Sequence, residues 1–130
     1  MASLDKNKKK FGFKRIISSI YNSGNGLKAA YSSEQSMYIH LVVSIVLLAF
    51  SFYFNISVIE WMFVIGIIGL TLAIELINTA IESVVDLVTK DFHPLAKIAK
   101  DTASGAEFVL TITCFIISLI IFVPKIMELF

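Results

Sequence analysis

A disulfide within one molecule is closed to this chain. It has a single cysteine, Cys114, set inside an apolar run where it reads as a small buried hydrophobe. Its two histidines, His40 and His93, cannot build a Cys/His metal cluster with so little cysteine. His93 precedes a proline and reads as a loop residue, and His40 is not read as a metal ligand. The six glycines form no phosphate-cradling loop, and the chain carries no internal repeat or low-complexity tract. Charge is also scarce. Charged residues make up 16% of the chain against 57% hydrophobic ones, and mean hydropathy is +0.83, a balance that excludes a soluble domain of this size. With a net charge of +1, no nucleic-acid partner is expected.

The sequence does hold three long apolar runs, with its few basic residues distributed unevenly between them. Seven of the eleven (Lys6, Lys8, Lys9, Lys10, Lys14, Arg15 and Lys28) precede the first run, and Lys90, Lys97 and Lys100 follow the second. Only Lys125 follows the third. The N-terminal stretch does not read as a cleavable signal peptide, because polar residues interrupt it and no small-residue cleavage site follows a short apolar core. Residues 1–10 read as a basic arm near anionic headgroups. A single domain over 11–130 follows. From about 11 to 34, Phe13, Ile16, Ile17, Ile20, Leu27 and Ala30 recur at helical spacing opposite Lys14, Arg15, Asn22 and Lys28, predicting an amphipathic surface helix. The run Asn22-Ser23-Gly24-Asn25-Gly26 is expected to break it in two. Transmembrane helices are expected at about 37–54, 58–88 and 95–123. Pro94 suits the first turn of the third, and Pro124 and Lys125 are expected to end it. The fold class is therefore an all-α membrane protein. The basic bias places the N-terminus and the Lys90–Lys100 loop in the cytoplasm and the uncharged Asn55–Ser57 turn outside.

The second run ends in a polar stripe. On a helix, Glu75, Asn78, Glu82 and Asp86 fall within an arc of roughly 80°, separated by apolar Leu76, Ile77, Ala80, Ile81, Val84 and Val85. The uninterrupted apolar part, Trp61 to Ile74, is 14 residues. That is about 21 Å of helix, too short for a hydrocarbon core of about 30 Å. Glu75 is therefore drawn inside or to the edge of the bilayer, where an ionisable group normally faces a protein or water-filled interior. Packing alone does not account for three carboxylates and an amide on one face. On the third helix Lys97, Lys100, Asp101, Ser104 and Thr111 share a face, with Glu107 at its edge. Lys100–Asp101 reads either as a helix-start ion pair or as part of the same site. Glu34 enters at the same depth.

Carboxylates, an amide and lysines, without a Cys/His cluster, suit a hard cation such as Mg²⁺. At a cytoplasmic membrane face that points to nucleotide phosphates. A partly buried carboxylate suits general-base work on a lipid hydroxyl. The reaction would be phosphoryl transfer governed by positioning and electrostatics. A small ion- or proton-coupled transport subunit is a competing class, but the outer halves of the helices are nearly bare of charge. A structural subunit would leave the stripe unexplained.

Glu75-Leu-Ile-Asn78-Thr-Ala-Ile-Glu82-Ser-Val-Val-Asp86 resembles the E-x-x-N-S/T-A-I-E-x-x-x-D signature of small bacterial integral-membrane lipid kinases, the diacylglycerol kinase/undecaprenol kinase family. Ala99-Lys100-Asp101-Thr-Ala-Ser104 resembles its A-K-D-x-x-S/A motif, and Gly12-Phe13-x-Arg15, Gly26-Leu27-x-Ala29-Ala30 and Glu34 are similar to its N-terminal region. The resemblance implies ATP-dependent phosphorylation of a membrane lipid alcohol by a homotrimer in the bacterial cell membrane, with active sites between protomers. It implies Glu75 as the general base, Glu34 and Glu82 as Mg²⁺ ligands, and Asn78, Asp86, Lys100 and Asp101 as nucleotide and phosphate ligands. Arg15 and Ser23 would line the surface-helix side, and Ser104 would join Glu75 at the lipid. The loop Phe92-His93-Pro94-Leu95-Ala96-Lys97 and His40, where the diacylglycerol branch has a glutamate, look more like the undecaprenol branch. Diacylglycerol is the alternative acceptor. Glu107 stands where a small apolar residue is usual.

Overall fold

The computed structural model describes residues 12–130, so the expected basic arm at 1–10 lies outside the described residues. Four helices follow in order: α1 Phe13–Ser33, α2 Gln35–Tyr53, α3 Val58–Val88 and α4 Pro94–Met127. The last three are long and apolar enough to cross a membrane, and no strand occurs among the described residues. The protein is an all-α membrane protein.

Local chemistry sets the boundaries. Glu34 takes an extended conformation between α1 and α2, and its amide donates to the Ala30 carbonyl at 3.0 Å. Asn55, at φ 45, turns the chain after α2 in the left-handed region that asparagine tolerates. Ser57 then caps α3 reciprocally with Glu60: the Glu60 amide donates to Ser57 Oγ at 3.3 Å and the Ser57 amide donates to Glu60 Oε2 at 2.6 Å. His93 caps α4 by accepting the Leu95 amide on Nδ1 at 3.2 Å, with Pro94 in the first turn.

Two expected boundaries do not occur. α1 runs unbroken through Asn22–Gly26. That stretch contains no proline, so every amide keeps its helical bond, and a glycine costs only about 1 kcal/mol in a helix. The Ser23 hydroxyl donates back to the Ser19 carbonyl at 2.9 Å, inside the helix. α4 likewise continues past Pro124 to Met127. A proline removes its own amide from the ladder and crowds the carbonyl four residues back, which can kink a helix without ending it. The Glu128 amide still donates to the Pro124 carbonyl at 3.1 Å, and Lys125 Nζ is held by Glu60 Oε1 at 3.2 Å.

α3 and α4 run antiparallel. Lys125–Glu60 joins one end of the pair, and Lys100 Nζ–Asp86 Oδ1, at 2.6 Å, joins the other. α2 packs on α3 and reaches α4 through side chains, and the end of the bundle at the Asn55 turn closes on a core of Ile56, Val64, Ile121 and Phe122, flanked by Leu47, Phe54 and Trp61. Phe122 meets Phe50 edge-on, with ring centroids 5.8 Å apart. Of the most apolar stretch of each span, 28% is buried in α3 but only 11% in α2 and α4. α3 is therefore the central helix, and the outward faces of the other two are left for lipid or further protein. At 1.5 Å per residue α3 is about 46 Å long. It is longer than a hydrocarbon core of about 30 Å, and Glu75 lies about 26 Å from its start.

Candidate functional site

The fold draws the acidic stripe of α3 into the bundle unevenly. Glu75 is fully buried at 0% exposure and Asn78 nearly so at 8%, whereas Glu82 is half-buried and Asp86 exposed. The face therefore changes along its length from a dry pole at Glu75 to a wet one at Asp86.

At the dry pole, the Ser36 hydroxyl on the first turn of α2 donates to Glu75 Oε1. The other carboxylate oxygen, Oε2, is buried without a hydrogen-bond partner among the described residues, as is Asn78 Oδ1. Buried acceptors left unpaired are costly, of the order of 1–3 kcal/mol each, so both oxygens are poised to take a donor or a cation. His40 of α2 faces this carboxylate, with Nε2 3.9 Å from Glu75 Oε2, and shares a 2.9 Å hydrogen bond with Glu107 Oε1 of α4. All three helices thus converge on Glu75. Beside His40 an apolar groove of about 360 Å³, lined by Ile39, Val43, Leu47, Ile68 and Phe115, opens between the spans.

At the wet pole, Asp86, Lys100 and Asp101 line one polar cleft of about 410 Å³ together with Lys90 and Lys97. Lys100 binds Asp86 across the helices, so it is not the helix-start partner of Asp101. Glu82 and Glu34 lie within electrostatic reach of its ammonium. Asp86 and Lys100 are thus in contact, while Glu82 and Glu34 add negative charge at longer range.

Other expected residues stand apart. Ser23 lines a groove of about 680 Å³ between α1 and α3, opposite Thr79 and Ser83. Arg15 is exposed and lines a shallow pocket made by its own helix, with Gly12, Ile16, Ser19 and Ile20. Ser104 is exposed on α4, and nothing among the described residues joins it to Glu75. Sequence reasoning missed Ser36 and the His40–Glu107 pair. The only signal was that two polar side chains interrupt apolar surroundings, and a separation of 67 residues hides their pairing.

The arrangement sets a buried carboxylate at one pole and a charged cleft at the other, and comparison with known proteins shows the family to which the chain belongs. Residues 21–122 match the family described as prokaryotic diacylglycerol kinase. A relative named undecaprenol kinase, from Bacillus subtilis, is 40% identical over 111 residues, covering 85% of this chain and 90% of the relative. A diacylglycerol kinase of Helicobacter pylori is 37% identical over 98 residues, 75% of this chain and 77% of the relative. Another from Escherichia coli is 30% identical over 105 residues, 81% of this chain and 86% of the relative. With its buried carboxylate, its charged cleft and these relatives, the chain belongs to the prokaryotic diacylglycerol kinase family and is an ATP-dependent lipid kinase.

Proposed function

We propose that this kinase transfers the γ-phosphoryl group of Mg·ATP to the hydroxyl of undecaprenol, a long polyisoprenoid alcohol, giving undecaprenyl phosphate. The observation that carries the mechanism is Glu75, a fully buried carboxylate fixed on one oxygen by Ser36 and unpartnered on the other. Glu75 Oε2 accepts the proton of the lipid hydroxyl as its oxygen forms the new bond to phosphorus and ADP leaves. Ser36 holds the carboxylate in place through this step. Lys100 and Asp101 position the phosphates, with Asp86 orienting the Lys100 ammonium. Asn78 stands between the poles, where its unpartnered oxygen can receive a donor from substrate. Glu34 and Glu82 would hold Mg²⁺, which would supply neutralising charge at the phosphate oxygens; carboxylate oxygens are the donors a hard cation takes.

The acceptor reading is supported by the greater identity to the undecaprenol kinase than to the diacylglycerol kinases. A physical argument points the same way. A polyprenol brings one hydroxyl on a wholly apolar chain, which suits the apolar groove beside His40, whereas the ester carbonyls of diacylglycerol need polar partners. The enzyme works as a homotrimer in the bacterial cell membrane, N-terminus cytoplasmic. In it, α1 brings Arg15 and Ser23 to a site shared between protomers, and Ser104 faces the lipid.

Competition between undecaprenol and diacylglycerol in mixed micelles with Mg·ATP tests the acceptor. The expected result is a higher specificity constant for undecaprenol. A higher one for diacylglycerol would leave the kinase and reject the acceptor. No turnover with any lipid alcohol would reject the mechanism.

A further inference from the structure

His40, Glu75 and Glu107 present a problem that the kinase mechanism leaves unsolved. Their nearest ligating atoms lie within 4.8 Å of one another, one from each of the three spanning helices. Two carboxylates therefore face each other at the edge of the hydrocarbon with one imidazole between them. Burying unbalanced charge there is expensive. The Glu75 side chain is 1% exposed, and its Oε2, the atom nearest His40 Nε2, has no hydrogen-bond partner. His40 and Glu107 keep 13% and 22% exposure, so the cluster is closed behind Glu75 and open in front.

We propose that these three side chains form a second divalent-cation site, taking a borderline transition metal of the Zn²⁺ class, whose occupation withdraws the Glu75 carboxylate from the acceptor. One neutral imidazole, two carboxylates and a dication sum to zero charge, which removes the burial problem. Three protein ligands with a fourth position open is the usual arrangement of an accessible zinc site. Metal–ligand distances of about 2.0–2.2 Å put tetrahedral ligand atoms about 3.4 Å apart. The spacings here are 2.9 Å for His40–Glu107 and 3.9 Å for His40–Glu75, so these two edges need to move by about half an ångström, and the Glu75–Glu107 edge lies within 4.8 Å. Imidazole nitrogen is a good ligand for zinc and a poor one for Mg²⁺, which prefers an octahedral set of oxygen ligands. The site shares no residue with the Mg²⁺ ligands proposed above, Glu34 and Glu82. Glu82 lies seven residues, about 10.5 Å, further along α3. Metal binding by itself does not depend on the proposed function, whereas inhibition rests on the role given there to Glu75.

The test uses the full chain in detergent micelles, without nucleotide, with Mg²⁺ in large excess and Zn²⁺ titrated by calorimetry. The expected result is one Zn²⁺ per chain, with affinity lowered at least roughly tenfold in both His40→Gln and Glu107→Gln, the loss seen when even an outer partner of a metal ligand is removed. Glu107→Gln keeps size and hydrogen bonding at a part-exposed position, so a folding failure of one variant leaves the other to decide. Unchanged Zn²⁺ affinity in a folded variant, or displacement of Zn²⁺ by Mg²⁺, overturns the site. Phosphorylation is then measured with and without buffered Zn²⁺ for each protein. Inhibition in the unaltered chain that is relieved in His40→Gln supports the whole proposal. Site-specific binding without inhibition keeps the metal site and rejects Glu75 as the base.

Discussion

Replacing Glu75 by glutamine removes a proton acceptor while preserving shape, which makes the outcome quantitative. The amide oxygen can still accept from Ser36, so the link between α2 and α3 survives. Burying a neutral amide at 0% exposure is also less costly than burying a charge, so the variant is expected to fold at least as well. The reaction changes more. A positioned general base contributes about 10²–10⁴ in rate, or about 3–5 kcal/mol at 1.36 kcal/mol per decade. Nucleotide affinity is expected to hold within about twofold, because Glu75 stands about 10.5 Å along the helix from Glu82 and outside the Lys100 cleft. The assay pairs ADP release in lipid-alcohol micelles with equilibrium binding of Mg·ATP. A fall in ATP affinity matching the fall in turnover, or a turnover loss of only a few fold, would refute the assignment of Glu75 as base.

Glu82→Gln is expected to behave oppositely, weakening Mg·ATP binding together with rate, since a neutral amide is a poor Mg²⁺ ligand; the same two measurements check it. Lys100→Met breaks an ion pair at a side chain 36% exposed. Thermal stability should then change little, because exposed ion pairs are screened by solvent, while the KM for ATP rises; a large stability loss with KM unchanged would make the pair structural. For topology, a cysteine at Ser57 should react with an impermeant thiol reagent added outside intact cells, and one at Asp91 should not. Reversed labelling would invert the orientation and remove the nucleotide argument.

Much of this protein is decided by short stretches of sequence. Apolar run lengths, the Ser57–Glu60 box and the Pro94 start place α3 and α4 without any tertiary information, because helix formation and membrane insertion depend on residues close in the chain. The stripe from Glu75 to Asp86 was legible for the same reason, since helical periodicity alone puts those residues on one face. Local signals also misled: the glycines of α1 and Pro124 weaken a helix by amounts that the rest of that helix overcomes. Which carboxylate is buried, that Ser36 holds it, that His40 meets Glu107 and that Lys100 reaches Asp86 were settled only by the packing of three helices. A helix face is fixed by residues three and four apart, but its partner is fixed by the register between helices, and that register follows from side-chain packing across the bundle.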